Sequence, residues 1–127
     1  MLEHDPEILA AFAEESAERL DSLEAGLLRL EHSPNPPPDL LNAVFRDAHS
    51  IKAGAGLLHL SALESAAHRL EHVLDHLRTG RLANGPDVCQ ALLDGLDLLR
   101  EMVGAPTAPP SAELQRSLAV LSALAGL

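Results

Sequence analysis

Asp39-Leu40-Leu41-Asn42-Ala43-Val44-Phe45-Arg46-Asp47-Ala48-His49-Ser50-Ile51-Lys52-Ala53-Gly54-Ala55-Gly56-Leu57-Leu58 is the stretch on which the fold turns. Its apolar residues Leu41, Val44, Phe45, Ala48, Ile51, Ala55 and Leu58 recur every three or four positions, the period of a helix with one face on a core. At about 100° per residue, His49 falls roughly 110° from the centre of that stripe, with Asn42, Lys52, Ala53 and Gly56 on the same flank. A histidine on the stripe could be satisfied by the interior, whereas one on a flank of small residues is placed to meet solvent or a partner. Gly54 and Gly56 each cost about 0.5–1 kcal/mol relative to alanine in a helix interior, so access for another molecule or close helix contact outranks local helix stability here.

Outward from this helix the pattern repeats. Downstream, Ser61-Ala62-Leu63-Glu64 has the form of a capping box opening a third helix, with Leu63, Ala67, Leu70, Val73, Leu74 and Leu77 inward and Gly80 as its stop. Upstream, Asp5-Pro6 reads as an N-cap with proline in the first turn, followed by the stripe Leu9, Phe12, Ser16, Leu20, Leu23, Leu27 and Leu30. The proline-rich run Ser33-Pro34-Asn35-Pro36-Pro37-Pro38 is a stiff connector. Beyond the third helix, Asn84-Gly85-Pro86 begins a fourth bearing Val88, Leu92, Leu96, Leu99 and Val103. After a Gly/Pro break, Ser111 caps a fifth bearing Leu114, Leu118, Leu121 and Leu124. The expectation is an all-α fold with helices near 6–32, 38–58, 61–79, 86–103 and 112–125. The first four form an antiparallel four-helix bundle and the last is an added C-terminal helix.

Composition agrees with that class and narrows the partners. Hydrophobic residues make up 46% and aromatics 2%, so leucine and alanine must do the packing, as in a helical bundle. The length of 127 residues suits one domain with one core. Cys89 is the single cysteine, which excludes a disulfide framework and fits a reducing compartment. A formal charge of −10 repels nucleic-acid backbones and anionic membrane surfaces, and no apolar run is long enough to span a bilayer. The expectation is therefore a soluble cytoplasmic chain without a signal peptide, and neither nucleic acid nor membrane is expected as a partner.

The short turn at His59 makes the second and third helices antiparallel neighbours, and counting outward from it brings residues of the two flanks to common levels. His49 falls about one residue rise, roughly 1.5 Å, from Glu71, and Lys52 falls near His68. These four residues are expected to converge on one exposed groove, with Glu71 open to water. A histidine can accept a phosphoryl group when one ring nitrogen keeps a lone pair and the other donates its proton to a fixed acceptor. Glu71 is that acceptor by position; it would keep Nδ1 protonated, leave Nε2 as nucleophile and stabilise the charge developing on the ring. Lys52 would balance the phosphoryl oxygens, and His68 would supply a second donor.

His49-Ser50-Ile51-Lys52-Ala53-Gly54-Ala55-Gly56, followed by His68-Arg69-Leu70-Glu71, closely resembles the histidine-phosphotransfer (Hpt) domain at the amino terminus of CheA-type chemotaxis kinases. The resemblance implies that His49 is phosphorylated, that Glu71 orients it, and that Lys52 and His68 support it. It implies that residues 1–127 are one Hpt domain of a larger kinase, with flagellar chemotaxis kinases and gliding-reversal kinases of the FrzE kind as parents. It implies no cofactor in this domain, Mg-ATP held by a separate kinase domain, and two kinds of partner: that ATP-binding domain and response-regulator receiver domains. Ala53, Gly54 and Gly56 would keep the approach open for docking. Ala53 stands where the family usually carries glycine, and Leu58 where it carries an aromatic.

Other readings weigh less. The glycines lie inside a helical pattern with no preceding strand, so they make no phosphate loop for ATP, and the domain is read as a substrate rather than a kinase. His68, His72 and His76 have ligand spacing along one helix, but their arc centres opposite the apolar stripe with no second helix to complete a site, so no metal is expected. Hydrolysis by His49 and Glu71 would lack a partner nucleophile or a deep pocket. The alternative is a plain helical interaction bundle without a reactive histidine.

Overall fold

The computed structural model describes residues 4–109 and 111–126, which form five α-helices and, among the described residues, no strand. They are α1 (Pro6–Glu31), α2 (Pro38–Leu57), α3 (Ser61–Arg78), α4 (Pro86–Gly104) and α5 (Ala112–Ala125). Helix α1 packs on α2 and α4, α3 packs on α2 and α4, and α5 lies against α3 and α4. This is the expected four-helix bundle with one added helix. The leucines of all four bundle helices meet in a single core, with Leu23, Leu27, Leu63, Leu74, Leu92, Leu96 and Leu99 inaccessible to solvent.

Cross-helix pairs show the antiparallel register. Along the α1–α2 seam, Gly26 faces Val44 and Leu40, while Phe12 faces Gly54. Along the α2–α3 seam, Gly56 faces Glu64 and His49 faces Glu71, so later residues of α2 meet earlier residues of α3. Gly26 is required by the approach of α1 and α2, since a Cβ there would overlap Val44 Cγ1.

Asp5 caps α1 by accepting from the Glu7 amide at 2.8 Å, and Ser111 caps α5 by accepting from the Leu114 amide at 3.0 Å. The capping box expected at Ser61 is not formed. The N-cap of α3 is Leu60, which makes no side-chain cap bond, and Ser61 is already the first helical residue. The reason lies in the preceding turn. His59 adopts a left-handed φ of 56° and the Leu60 amide returns to the Ala55 carbonyl at 2.9 Å, closing α2 so tightly that the chain re-enters a helix at once. Leu60 is thereby buried in the core rather than left in the turn. Helix α4 begins at Pro86 as expected, with Gly85 as its N-cap, and Asn84 has another role. It ties the α3–α4 connection to the end of α1, donating to the carbonyls of Leu30 and Ser33 at 3.0 Å each.

Candidate functional site

His49 lies midway along α2 with 54% of its side chain exposed, on the flank that its position relative to the apolar stripe requires. Its Nδ1 is 2.5 Å from Oε2 of Glu71 on α3. Lys52, one turn further along α2, donates from Nζ to the other oxygen of the same carboxylate, Oε1, at 2.8 Å. One carboxylate therefore bridges two side chains of the neighbouring helix. Because a carboxylate can only accept, the 2.5 Å contact puts a proton on Nδ1 of His49, and in the neutral ring the lone pair is then on Nε2.

The depth of Glu71 corrects the sequence reading. Rather than lining an open groove, it is 7% exposed and ranks with Ser16 and Asp47 as a buried polar residue. The α2–α3 seam is the most extensively packed in the bundle, and it draws this flank of α3 in with the apolar stripe. Burial alone would raise the carboxyl pKa, but hydrogen bonds from Lys52 and His49 and their charges prevail and hold it below its ordinary value. Glu71 is thus an anion kept in the seam by its two partners.

Lys52 was expected to face incoming phosphoryl oxygens; in the resting structure it is committed to Glu71, with its side chain 24% exposed. His68 is not bonded to His49. It shares a surface pocket with Lys52, Ser61, Glu64 and Ser65, and its ring meets that of His72 edge to face at 4.3 Å between centroids. Burial lowers its pKa, and the charges of His72 and Lys52 push the same way against the pull of Glu71. His68 is thereby held toward the neutral form.

Ala53 is exposed on the accessible flank, as expected. The two glycines also do structural work that the sequence reading offered only as the plainer choice. A Cβ at Gly54 would stand 3.1 Å from the Phe12 ring, and one at Gly56 would stand 2.6 Å from Oε2 of Glu64. Gly54 therefore seats α1 on α2, and Gly56 makes room for a side chain of α3.

Two contributors escaped the sequence reading. The Phe45 ring, one turn before His49, stacks on the imidazole at 6.1 Å between centroids with an 18° interplanar angle. Arg78, at the end of α3, lies over the other ring system with its guanidinium carbon 4.0 Å from the Phe45 centroid. The i, i+4 spacing of Phe45 and His49 was a usable signal, since such residues are neighbours on a helix surface. Nothing local marks Arg78, which reaches Phe45 only because α3 runs antiparallel to α2.

The Hpt domain family matches residues 7–102. The chain belongs to the Hpt family. The CheA chemotaxis protein of Rhizobium meliloti is 42% identical over 99 residues, covering 78% of this chain and 13% of that protein, so the chain spans about an eighth of such a relative. The CheA phosphotransferase domain from Thermotoga maritima superposes with a TM-score of 0.74 at 31% identity, over 80% of this chain and 96% of that one. The phosphorylated P1 domain of CheA3 in complex with CheY6 from R. sphaeroides superposes with a TM-score of 0.82 at 26% identity, over 94% and 96% of the two chains. Membership of the Hpt family accords with the all-helical fold and with a two-component phosphotransfer class. Among the described residues no helix is long and apolar enough to cross a membrane.

Proposed function

We propose that His49 is the phosphoryl acceptor of this Hpt domain, within a CheA-type chemotaxis kinase. The observation that carries the reading is the pairing of an exposed imidazole with a buried carboxylate at Nδ1. Nε2 attacks the γ-phosphorus of ATP held, with Mg²⁺, by a separate kinase domain; the Nε2–P bond forms as the bond to the ADP oxygen breaks. Nδ1 keeps its proton throughout, and Glu71 balances the positive charge that the ring acquires. Transfer onward reverses the logic: an aspartate oxygen of a receiver domain takes the phosphoryl group, the N–P bond breaks, and His49 returns to its neutral tautomer. Lys52 fixes the second oxygen of Glu71 and brings positive charge within one turn of His49. Phe45 limits ring rotation by stacking. No ATP-binding residues are assigned to this chain, which serves the reaction as substrate and carrier. The complex of the phosphorylated CheA3 P1 domain with CheY6 supports receiver domains as the second partner.

The test is mass spectrometry after incubation with the kinase ATP-binding domain and Mg-ATP, followed by addition of a receiver domain. Acid-labile phosphate on His49 that disappears as the receiver becomes phosphorylated is the expected result. An unmodified His49, with the chain folded, would leave only the interaction bundle.

A further inference from the structure

His68 and His72 lie one turn apart on α3 with their rings edge to face. Glu71 sits between them in sequence, and one ligand atom from each of the three residues lies within 4.8 Å of the other two. His68, His72 and His76 carry no metal in the sequence analysis because no second helix completes a site on their face; the flank of the same helix adds a third ligand, the Glu71 carboxylate held ionised in the seam. Imidazole nitrogens and carboxylate oxygens bind zinc-class ions at about 2.0–2.2 Å, so the three ligand atoms would have to draw together by roughly an ångström. The hydrogen bonds of Glu71 go to His49 and Lys52 rather than to these two rings, so rotation of the histidine rings can supply that movement.

We propose that His68, Glu71 and His72 form a binding site for a divalent ion of the zinc class, with water completing the coordination, and that the bound ion restrains His49. The restraint follows from sharing. Both oxygens of Glu71 already accept, one from His49 Nδ1 and one from Lys52 Nζ. A dication on the same carboxylate withdraws its electron density and repels the Lys52 ammonium, so the hold on the Nδ1 proton weakens and Nε2 becomes a poorer nucleophile. This second step rests on the reading of His49 as phosphoryl acceptor; the binding step does not. His76 provides the internal control, since it stands four residues beyond His72 yet lies outside the three-residue cluster.

Titration calorimetry of zinc into the 127-residue chain decides the binding step. One saturable site is expected, weakened about 10–100-fold or more by His68→Asn and by His72→Asn and unchanged by His76→Asn. No saturable binding, or binding lost in His76→Asn but kept in His68→Asn, overturns the site. The restraint is read from the rate of His49 phosphorylation by the kinase domain with and without zinc. Slowing of the parent chain but not of His72→Asn is expected, and the variant cancels any action of zinc on the kinase domain itself. Equal slowing of both overturns the restraint. Absence of phosphorylation in zinc-free buffer would instead count against His49 as acceptor, while the calorimetry still decides the site.

Discussion

Two seams of the bundle carry charge clusters of opposite design. Between α2 and α3 a single carboxylate, Glu71, holds two partners, His49 and Lys52. Between α1 and α4 a single cation, Arg100, holds two carboxylates, Asp21 at 2.9 Å and Glu24 at 2.8 Å. The contact distances are alike, and the exposures are not: 9% for the Glu71 side chain against 74% for Asp21 and 44% for Glu24. In water an ion pair exchanges one set of hydrogen bonds for another and contributes little. In a seam that excludes water, the carboxylate has no alternative partner, so its geometry is enforced and its partners' proton positions with it. The first seam can therefore orient a nucleophile, while the second only adds modestly to packing.

The largest effect should come from His49→Gln, which removes the nucleophile and with it all acid-labile phosphate. Cooperative unfolding should survive with a loss of about 1 kcal/mol or less, as expected for one half-exposed hydrogen bond. Loss of the folded state in that variant would mean that the exposed ring is structural after all.

Glu71→Ala should come next, and it tests the contrast directly. Initial phosphorylation rates should fall about 10²-fold, the lower end for a positioned acid–base group. Because Glu71 is buried, stability should also fall, by about 1–3 kcal/mol in urea titration, since the half-buried Lys52 loses its acceptor. An unchanged rate would break the comparison, reducing Glu71 to the rank of Asp21 and Glu24. Lys52→Ala should slow the reaction less, and its deficit should shrink as salt rises if its charge acts on the phosphoryl oxygens.

Acid provides a graded version of the same test. The folded pKa of Glu71 lies below its ordinary 4.5, so the stability it contributes is complete above pH 4.5 and is lost as pH falls through the lowered folded value. His68, held below its ordinary 6.5, adds to the slope in the same direction, because below that pH the unfolded chain takes up its proton first. Unfolding midpoints measured against pH should therefore decline into acid, and Glu71→Gln should flatten the lower limb. An identical lower limb in that variant would place the acid sensitivity elsewhere.

Arg78→Ala should have a smaller effect, since a cation over a partly buried aromatic face at the surface contributes about 0.5–1 kcal/mol, equivalent to a roughly two- to fivefold slower reaction if Phe45 transmits the whole loss to His49. The smallest effect belongs to Arg100→Ala. Its cost should be about 1 kcal/mol or less, fading in high salt, with His49 phosphorylated at the parent rate. A slowed reaction in Arg100→Ala would show that the two seams are coupled.

Periodicity and turn length, both local properties of the chain, were enough to place five helices, their inward leucines, and His49 level with Glu71. Helical geometry repeats every 3.6 residues and the His59 turn is short, so the register of α3 against α2 could be counted along the chain. Helix packing decided the rest. How far a flank is buried depends on the separation of neighbouring axes, which contacts between different helices set, as Gly56 does against Glu64 in the α2–α3 seam. For that reason the depth of Glu71, the commitment of Lys52 to it, the start of α3 at Leu60 and the reach of Arg78 to Phe45 could not be read from spacing. Spacing names the residues that share a level; only the packed seam determines whether water lies between them, and so whether a carboxylate beside a histidine merely neighbours it or holds its proton.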